Sequence, residues 1–132
     1  MADKISFDLV CPEKLLLSED ANMVTLPGAE GYFGVLAGHA PLIATLKPGV
    51  IAVTGGTKGD QRFFVSTGFA DVSADKLTVL AEEAIPMESV DAALLDRRIA
   101  NAEEDILQAK TDEARAKAVA AVDSLKQLRA GL

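Results

Sequence analysis

The hydrophobic period of this chain changes once, at Pro86, and that change limits the folds open to it. Before Pro86 the apolar residues alternate in short runs. After it they recur every three to four residues, so a strand-built unit precedes a helical one. The expected division is a β-sandwich over residues 1–86 and a helical hairpin over residues 87–132.

In the first part, KISFDLV alternates cleanly, with Ile5, Phe7 and Leu9 on one face. NMVTL, YFGVL, PLIATL, VIAV, QRFFVS, FADVS and KLTVLAE are further candidate strands, rich in Val, Ile, Leu, Phe or Thr. Pro27-Gly28 and Lys47-Pro48-Gly49 read as type II turns, GGTKGD at 55–60 as a hairpin loop, and Ser73-Ala74-Asp75 as a tight connection. Short strands at close spacing with no helical pattern between them predict an all-β antiparallel sandwich.

In the second part, Ser89 is a candidate N-cap with Asp91 in the positive first turn. Leu95, Ile99, Ala102, Ile106 and Ala109 then follow steps of four and three, one apolar stripe along a helix. Lys110-Thr111-Asp112-Glu113 breaks that helix and caps a second one, whose apolar positions are Ala118, Ala121, Val122, Leu125 and Leu128 and whose end suits Gly131. So short a connection predicts an antiparallel hairpin, and its alanine-rich seam predicts weak closure.

Composition excludes several functions. A net charge of −7 is wrong for a surface that tracks phosphates, so nucleic acid is not an expected partner. No apolar run approaches the ~20 residues needed to span a bilayer, and MADKISFDLV lacks the pattern of an export signal, so no direct membrane insertion is expected. The single cysteine, Cys11, forms no internal disulfide and reads as a buried thiol. With one histidine and one cysteine, an ordinary zinc site is not expected, and no cofactor motif is present: the chain contains no Gly-Lys pair to end a phosphate loop.

GYFGVLAGHAPLIATLKPG, residues 31–49, holds the one histidine and four of the ten glycines. His39 has three readings: a buried hydrogen-bonded side chain, an exposed contact residue, or a catalytic base. No strand-Ser-helix elbow accompanies it, and the adjacent carboxylates Glu82-Glu83 and Glu103-Glu104 do not converge on a substrate. A stand-alone ligand-binding sandwich and a small enzyme using His39 remain the competing interpretations.

That segment, followed by FVSTGFADVSADKLTVLAEEA and a helical tail, closely resembles the epsilon subunit of bacterial F-type ATP synthases. The most specific match is Gly38-His39-Ala40-Pro41-Leu42 with Lys47-Pro48-Gly49 close behind. The resemblance implies a non-catalytic rotor subunit: a ten-stranded sandwich on the central stalk, bound to the gamma subunit and to the c-ring, at the cytoplasmic face of the bacterial plasma membrane. Glu30, Gly31, Tyr32, Phe33 and His39 fall where such c-ring and gamma contacts are made, and no cofactor is implied.

The tail is similar to a switch that packs beside the sandwich or extends toward the alpha and beta subunits and obstructs ATP hydrolysis. The basic residues that would then meet the beta subunits are Arg115, Lys117, Lys126 and Arg129. The second helix is short for the family, which implies inhibition that is either mild or handled by another protein. Some bacterial members hold ATP through an [IL]-D-x-x-R-A stretch. Here Asp91 is retained, but Leu94 and Leu95 stand in the arginine and alanine places, while Arg97 and Arg98 project from other faces. Tight ATP binding is therefore not expected.

Overall fold

A computed structural model of the chain describes residues 4–131. It divides into two compact units that meet between Met87 and Glu88.

The first unit is a ten-stranded curled sheet: β1 (Ile5–Cys11), β2 (Lys14–Ala21), β3 (Met23–Gly28), β4 (Gly31–Val35), β5 (Leu42–Leu46), β6 (Gly49–Thr54), β7 (Gln61–Val65), β8 (Gly68–Val72), β9 (Lys76–Ala81) and β10 (Ala84–Pro86). The order is β10-β7-β6-β3-β5-β8-β9-β1-β2, with β4 on the other edge of β3. Strand β3 is the corner: Met23 to Thr25 pair with β6, whereas Gly28 pairs with Leu46 of β5. The sheet thereby folds into two layers around one core that includes Ile5, Phe7, Leu9, Leu26, Ile51, Leu77 and Val79, each fully buried. The predicted inward face of the first strand is confirmed.

The sandwich is antiparallel as expected in every pairing but one, since β1 runs parallel to β9. Two of its strands escape the alternation rule. In β2 the triplet Leu15-Leu16-Leu17 hides the period, and Glu19 occupies an inward position at 8% exposure. Its carboxylate accepts from the Lys58 backbone N–H at 3.2 Å, which fastens the 55–60 loop to β2. Strand β10 is three residues long and ends in proline, too short to carry a pattern.

The two Pro-Gly turns are corrected. Pro27 and Gly28 lie inside β3, and Gly49 opens β6; none of the positive-φ glycines is among them. Gly28 and Gly49 are required by close approach instead. A Cβ at Gly49 would come within 2.6 Å of the Tyr32 hydroxyl and 2.7 Å of Pro27 Cβ. The 55–60 hairpin loop and the Ser73–Asp75 connection are as expected, the latter closed by Ser73 N–H to Lys76 O at 2.8 Å.

The second unit holds α1 (Ala92–Gln108) and α2 (Asp112–Ala130), packed on each other. The N-cap of α1 is Asp91 and not Ser89, which sits in a 3-10 turn over Met87–Ser89. Asp91 Oδ1 accepts from the Leu94 N–H at 2.8 Å, as an N-cap side chain does for an orphan helix donor. Thr111 caps α2 through Ala114 N–H at 3.0 Å, and Gly131 ends it, both as the sequence predicts. Every apolar position assigned to the two stripes is buried or half-buried. Among the described residues no helix is long and apolar enough to cross a membrane.

Candidate docking surface

Of the five residues singled out around residues 30–39, Gly31, Tyr32 and Phe33 lie in edge strand β4, and Glu30 and His39 in the turns at its two ends. Glu30 is exposed in the two-residue turn before Gly31, which has φ +138°. Along β4 the alternation sends Phe33 and Val35 inward, Phe33 packing on the core, and leaves Tyr32 and Gly34 exposed. Beyond it, Leu36 to His39 make a type II turn: Gly38 takes φ +87° and the His39 N–H reaches Leu36 O at 3.1 Å. Five residues of strand separate the two turns, about 17 Å.

Tyr32 is 56% exposed, yet its hydroxyl is engaged. The Pro27 carbonyl is taken by the Lys47 N–H at 3.0 Å as β3 changes partner, so it does not serve β6. The Val50 N–H of β6 donates instead to the Tyr32 hydroxyl at 3.0 Å. The phenol thus staples the corner and fixes its own ring on the surface.

His39 is not the buried side chain of the first reading. It is half-exposed, and Nδ1 lies 2.7 Å from its neighbour's carbonyl, Ala40 O, so that nitrogen carries the proton and donates. Among the described residues no carboxylate or hydroxyl hydrogen-bonds the ring.

A second surface was not foreseen from the sequence. Register across the β5-β8-β9-β1-β2 layer aligns Thr45, Phe69, Leu80, Val10 and Leu15 in one outward row. Phe69 is 55% exposed, Leu80 52% and Leu15 55%; Ile43, in the next row, is 74% exposed. That next row continues through Asp71, Thr78, Asp8 and Ser18. Each residue alone is an ordinary exposed apolar side chain, but together they make a row rimmed by polar groups, a candidate interaction surface. Only register brings them together, which is why inspection of single strands missed them.

The polar rim is ordered. The Ser18 hydroxyl donates to Asp8 Oδ1 at 2.7 Å and Lys76 Nζ lies 3.2 Å from Oδ2. The Ser18 hydrogen bond, opposed by burial and joined by Lys76, holds the Asp8 carboxyl below its ordinary value of 3.8. Near the end of β1, burial pushes the half-buried Cys11 thiol above 9.0. The expected burial is only partial: the thiol packs against the core but stays half-exposed.

On the hairpin, three of the four predicted basic contacts are already occupied within the unit. Arg129 Nε donates to Asp96 Oδ1 at 2.9 Å, and Lys126 Nζ lies 3.7 Å from Glu103 Oε2. Arg115 pairs with Asp112 at 3.3 Å and reaches the Ala109 carbonyl at 3.5 Å. Lys117 is exposed. Asp91, kept from the nucleotide motif, is committed to capping α1, and Leu94 offers no cation for a phosphate.

Among the described residues no cluster of metal-ligating side chains exists. The features of the first unit that stand out are its exposed β4 strip and its outward apolar row. Comparison with known proteins makes this specific. Residues 4–87 match the family described as the ATP synthase Delta/Epsilon chain beta-sandwich domain. A protein named ATP synthase epsilon chain from Parvibaculum lavamentivorans is 50% identical over 129 residues, covering 98% of both chains. Its namesake from Mesorhizobium japonicum is 45% identical over 132 residues, covering 100% of this chain and 98% of that one.

A chain of the Euglena gracilis mitochondrial ATP synthase, in a structure of its OSCP/F1/c-ring assembly, superposes with TM-score 0.74 at 26% identity, over 97% of this chain and 81% of that one. A chain of the Tetrahymena thermophila mitochondrial ATP synthase shares the fold, with TM-score 0.66 at 16% identity, over 96% of this chain and 97% of that one. The chain belongs to the ATP synthase epsilon chain family and is a non-catalytic subunit of the rotary complex.

Proposed function

We propose that the outer row of the β5-β8-β9-β1-β2 layer docks the gamma subunit, and that the β4 strip of Glu30, Gly31, Tyr32 and His39 faces the c-ring. Phe33 supports that strip from the core side. The chain then couples c-ring rotation to ATP synthesis by binding both partners, at the cytoplasmic face of a bacterial plasma membrane.

The observation that carries this reading is the alignment of Phe69, Leu80 and Leu15 into one exposed row on a rigid layer. Apolar anchors ordered in advance on a sheet bind without ordering cost at the moment of association. The hairpin is the regulatory part, and its extended form presents Arg115, Lys117, Lys126 and Arg129 to the beta subunits.

The test is recovery of affinity-tagged chain from detergent-solubilised membranes, probed for the gamma and c subunits. Both subunits co-purify if the reading holds, and His39→Ala lowers recovery of c more than of gamma. Recovery of neither, with the tagged chain folded, would refute it.

A further inference from the structure

The loop that follows β6 is tied to β2 by bonds that leave one buried carboxylate only half engaged. The Thr57 N–H and hydroxyl both donate to Asp20 O, at 3.1 and 3.2 Å, and the Lys58 N–H donates to Glu19 Oε2 at 3.2 Å. Within the loop, the Gly59 N–H closes on Gly56 O at 2.9 Å and the Gly55 N–H on Asp60 Oδ1 at 2.8 Å. None of these bonds uses Glu19 Oε1 or the Gly59 carbonyl. Glu19 is buried and its Oε1 has no hydrogen-bond partner; Gln61 Oε1, on the residue after the loop, is a second such oxygen. A buried carboxylate oxygen without a partner is costly, so its site favours a group that supplies positive charge.

Glycine shapes the space around that oxygen. A Cβ at Gly56 would collide with Glu19 Oε1 and would lie 2.9 Å from Gly59 O. Both oxygens thus face one point and lie within 2.9 Å of it, which puts them less than about 6 Å apart. One hard cation, with oxygen contacts of about 2.3–2.6 Å, spans such a gap. Gly59 reaches this geometry at φ +90°, a conformation that a side chain would strain.

Local charge sets the valence. Glu19, Asp20 and Asp60 stand against Lys58 and against Lys4, whose Nζ lies 3.4 Å from Gly55 O, leaving about one net negative charge. Among the described residues no group of three metal-ligating side chains forms, so the several carboxylates that calcium collects are not provided. A single carboxylate joined by a neutral carbonyl suits an ion of charge one.

We propose that Glu19 Oε1 and Gly59 O bind a small monovalent cation such as sodium, which locks the 55–60 loop onto β2. The ion engages the carboxylate oxygen opposite the one that holds the Lys58 N–H, so ion and backbone grip the same side chain from two sides.

The test uses the full chain at constant ionic strength, with sodium chloride exchanged for choline chloride, whose cation is too bulky for the gap. Exchange of the Lys58 amide is read by nuclear magnetic resonance. With a dissociation constant of about 10 mM, about 100 mM sodium slows that exchange roughly tenfold relative to choline, because the ion binds only the closed loop. Saturable broadening of the sodium resonance accompanies it. Glu19→Gln, which keeps the side-chain shape, and Gly56→Ala, which fills the gap, each abolish both effects while the strand signal persists. Should either variant fail to fold, the wild-type chain still decides: equal exchange in the two salts overturns the proposal and assigns Oε1 to a water or a proton. Sodium dependence that survives in folded Glu19→Gln overturns it as well. These measurements involve no stalk partner, so their failure is distinguishable from failure of sandwich docking.

Discussion

The hydroxyl of Tyr32 accepts a hydrogen bond from the Val50 backbone N–H at 3.0 Å, joining edge strand β4 to β6 across the corner strand β3. The same side chain is more than half exposed, so one residue serves the fold with its oxygen and the surface with its ring. Removing the oxygen leaves a strand N–H without its partner, a loss that costs about 1–3 kcal/mol where water does not replace it. Tyr32→Phe is therefore expected to lower hydrogen-exchange protection of the Val50 amide by roughly tenfold or more, while protection in the β8-β9 pair is unchanged.

Gly49 tests the other side of that staple. Its Cβ position is filled by the Tyr32 hydroxyl and by Pro27, the latter part of the corner strand and unable to retreat without moving it. Gly49→Ala should destabilise the sandwich by about 1–3 kcal/mol, as overpacking does, measured as the shift in urea midpoint of the strand signal in circular dichroism.

How much of this was legible from sequence differs by element. β1 was readable because Ile5, Phe7 and Leu9 alternate strictly with polar or half-buried neighbours. β2 was not, because an inward Glu19 is stabilised by a backbone N–H from a loop 39 residues away, a contact no local window contains. The Pro-Gly pairs misled for a related reason: local turn chemistry and tertiary crowding both select glycine, and at residues 28 and 49 crowding wins. The β4 strip came from a contiguous motif, whereas the Phe69-Leu80-Leu15 row depends on the parallel β1-β9 pairing and so required the structure.

Asp8 gives a pH prediction whose sign follows from its depressed folded value. Ordinary unfolded carboxyls titrate near 3.8, and the native group titrates lower, chiefly through Ser18. The stabilisation is complete above the unfolded value and is lost as pH falls through the native one. Ser18→Ala should weaken the sandwich by ~1 kcal/mol or less at neutral pH and flatten the decline in stability below pH 3.8, with thermal melts across pH 2–6 as the readout.

Cys11 should react slowly. Burial raises its thiol above 9.0, so the thiolate is scarce at neutral pH. Iodoacetamide should label the native chain at least several-fold more slowly at pH 7.5 than the urea-unfolded chain, by mass spectrometry. Labelling at the unfolded rate would contradict the burial assigned to it.

Nucleotide binding should be absent at micromolar concentration. Asp91 caps α1 and Leu94 stands where a phosphate-facing arginine is needed, so calorimetric titration of the full chain with ATP should give no saturable heat below about 1 mM. Asp91→Ala should cost the hairpin about 1 kcal/mol of stability through the lost cap alone.

The central claim is that the aligned outer row holds the chain on its stalk partner, and it is tested most directly by recovery of the gamma subunit on tagged Phe69→Glu/Leu80→Glu chain. Both side chains are more than half exposed, so the double variant should fold with unchanged strand signal. Gamma recovery is expected to fall at least tenfold relative to wild type, while a Lys117→Gln control retains it. Full gamma recovery on the correctly folded double variant would contradict the account.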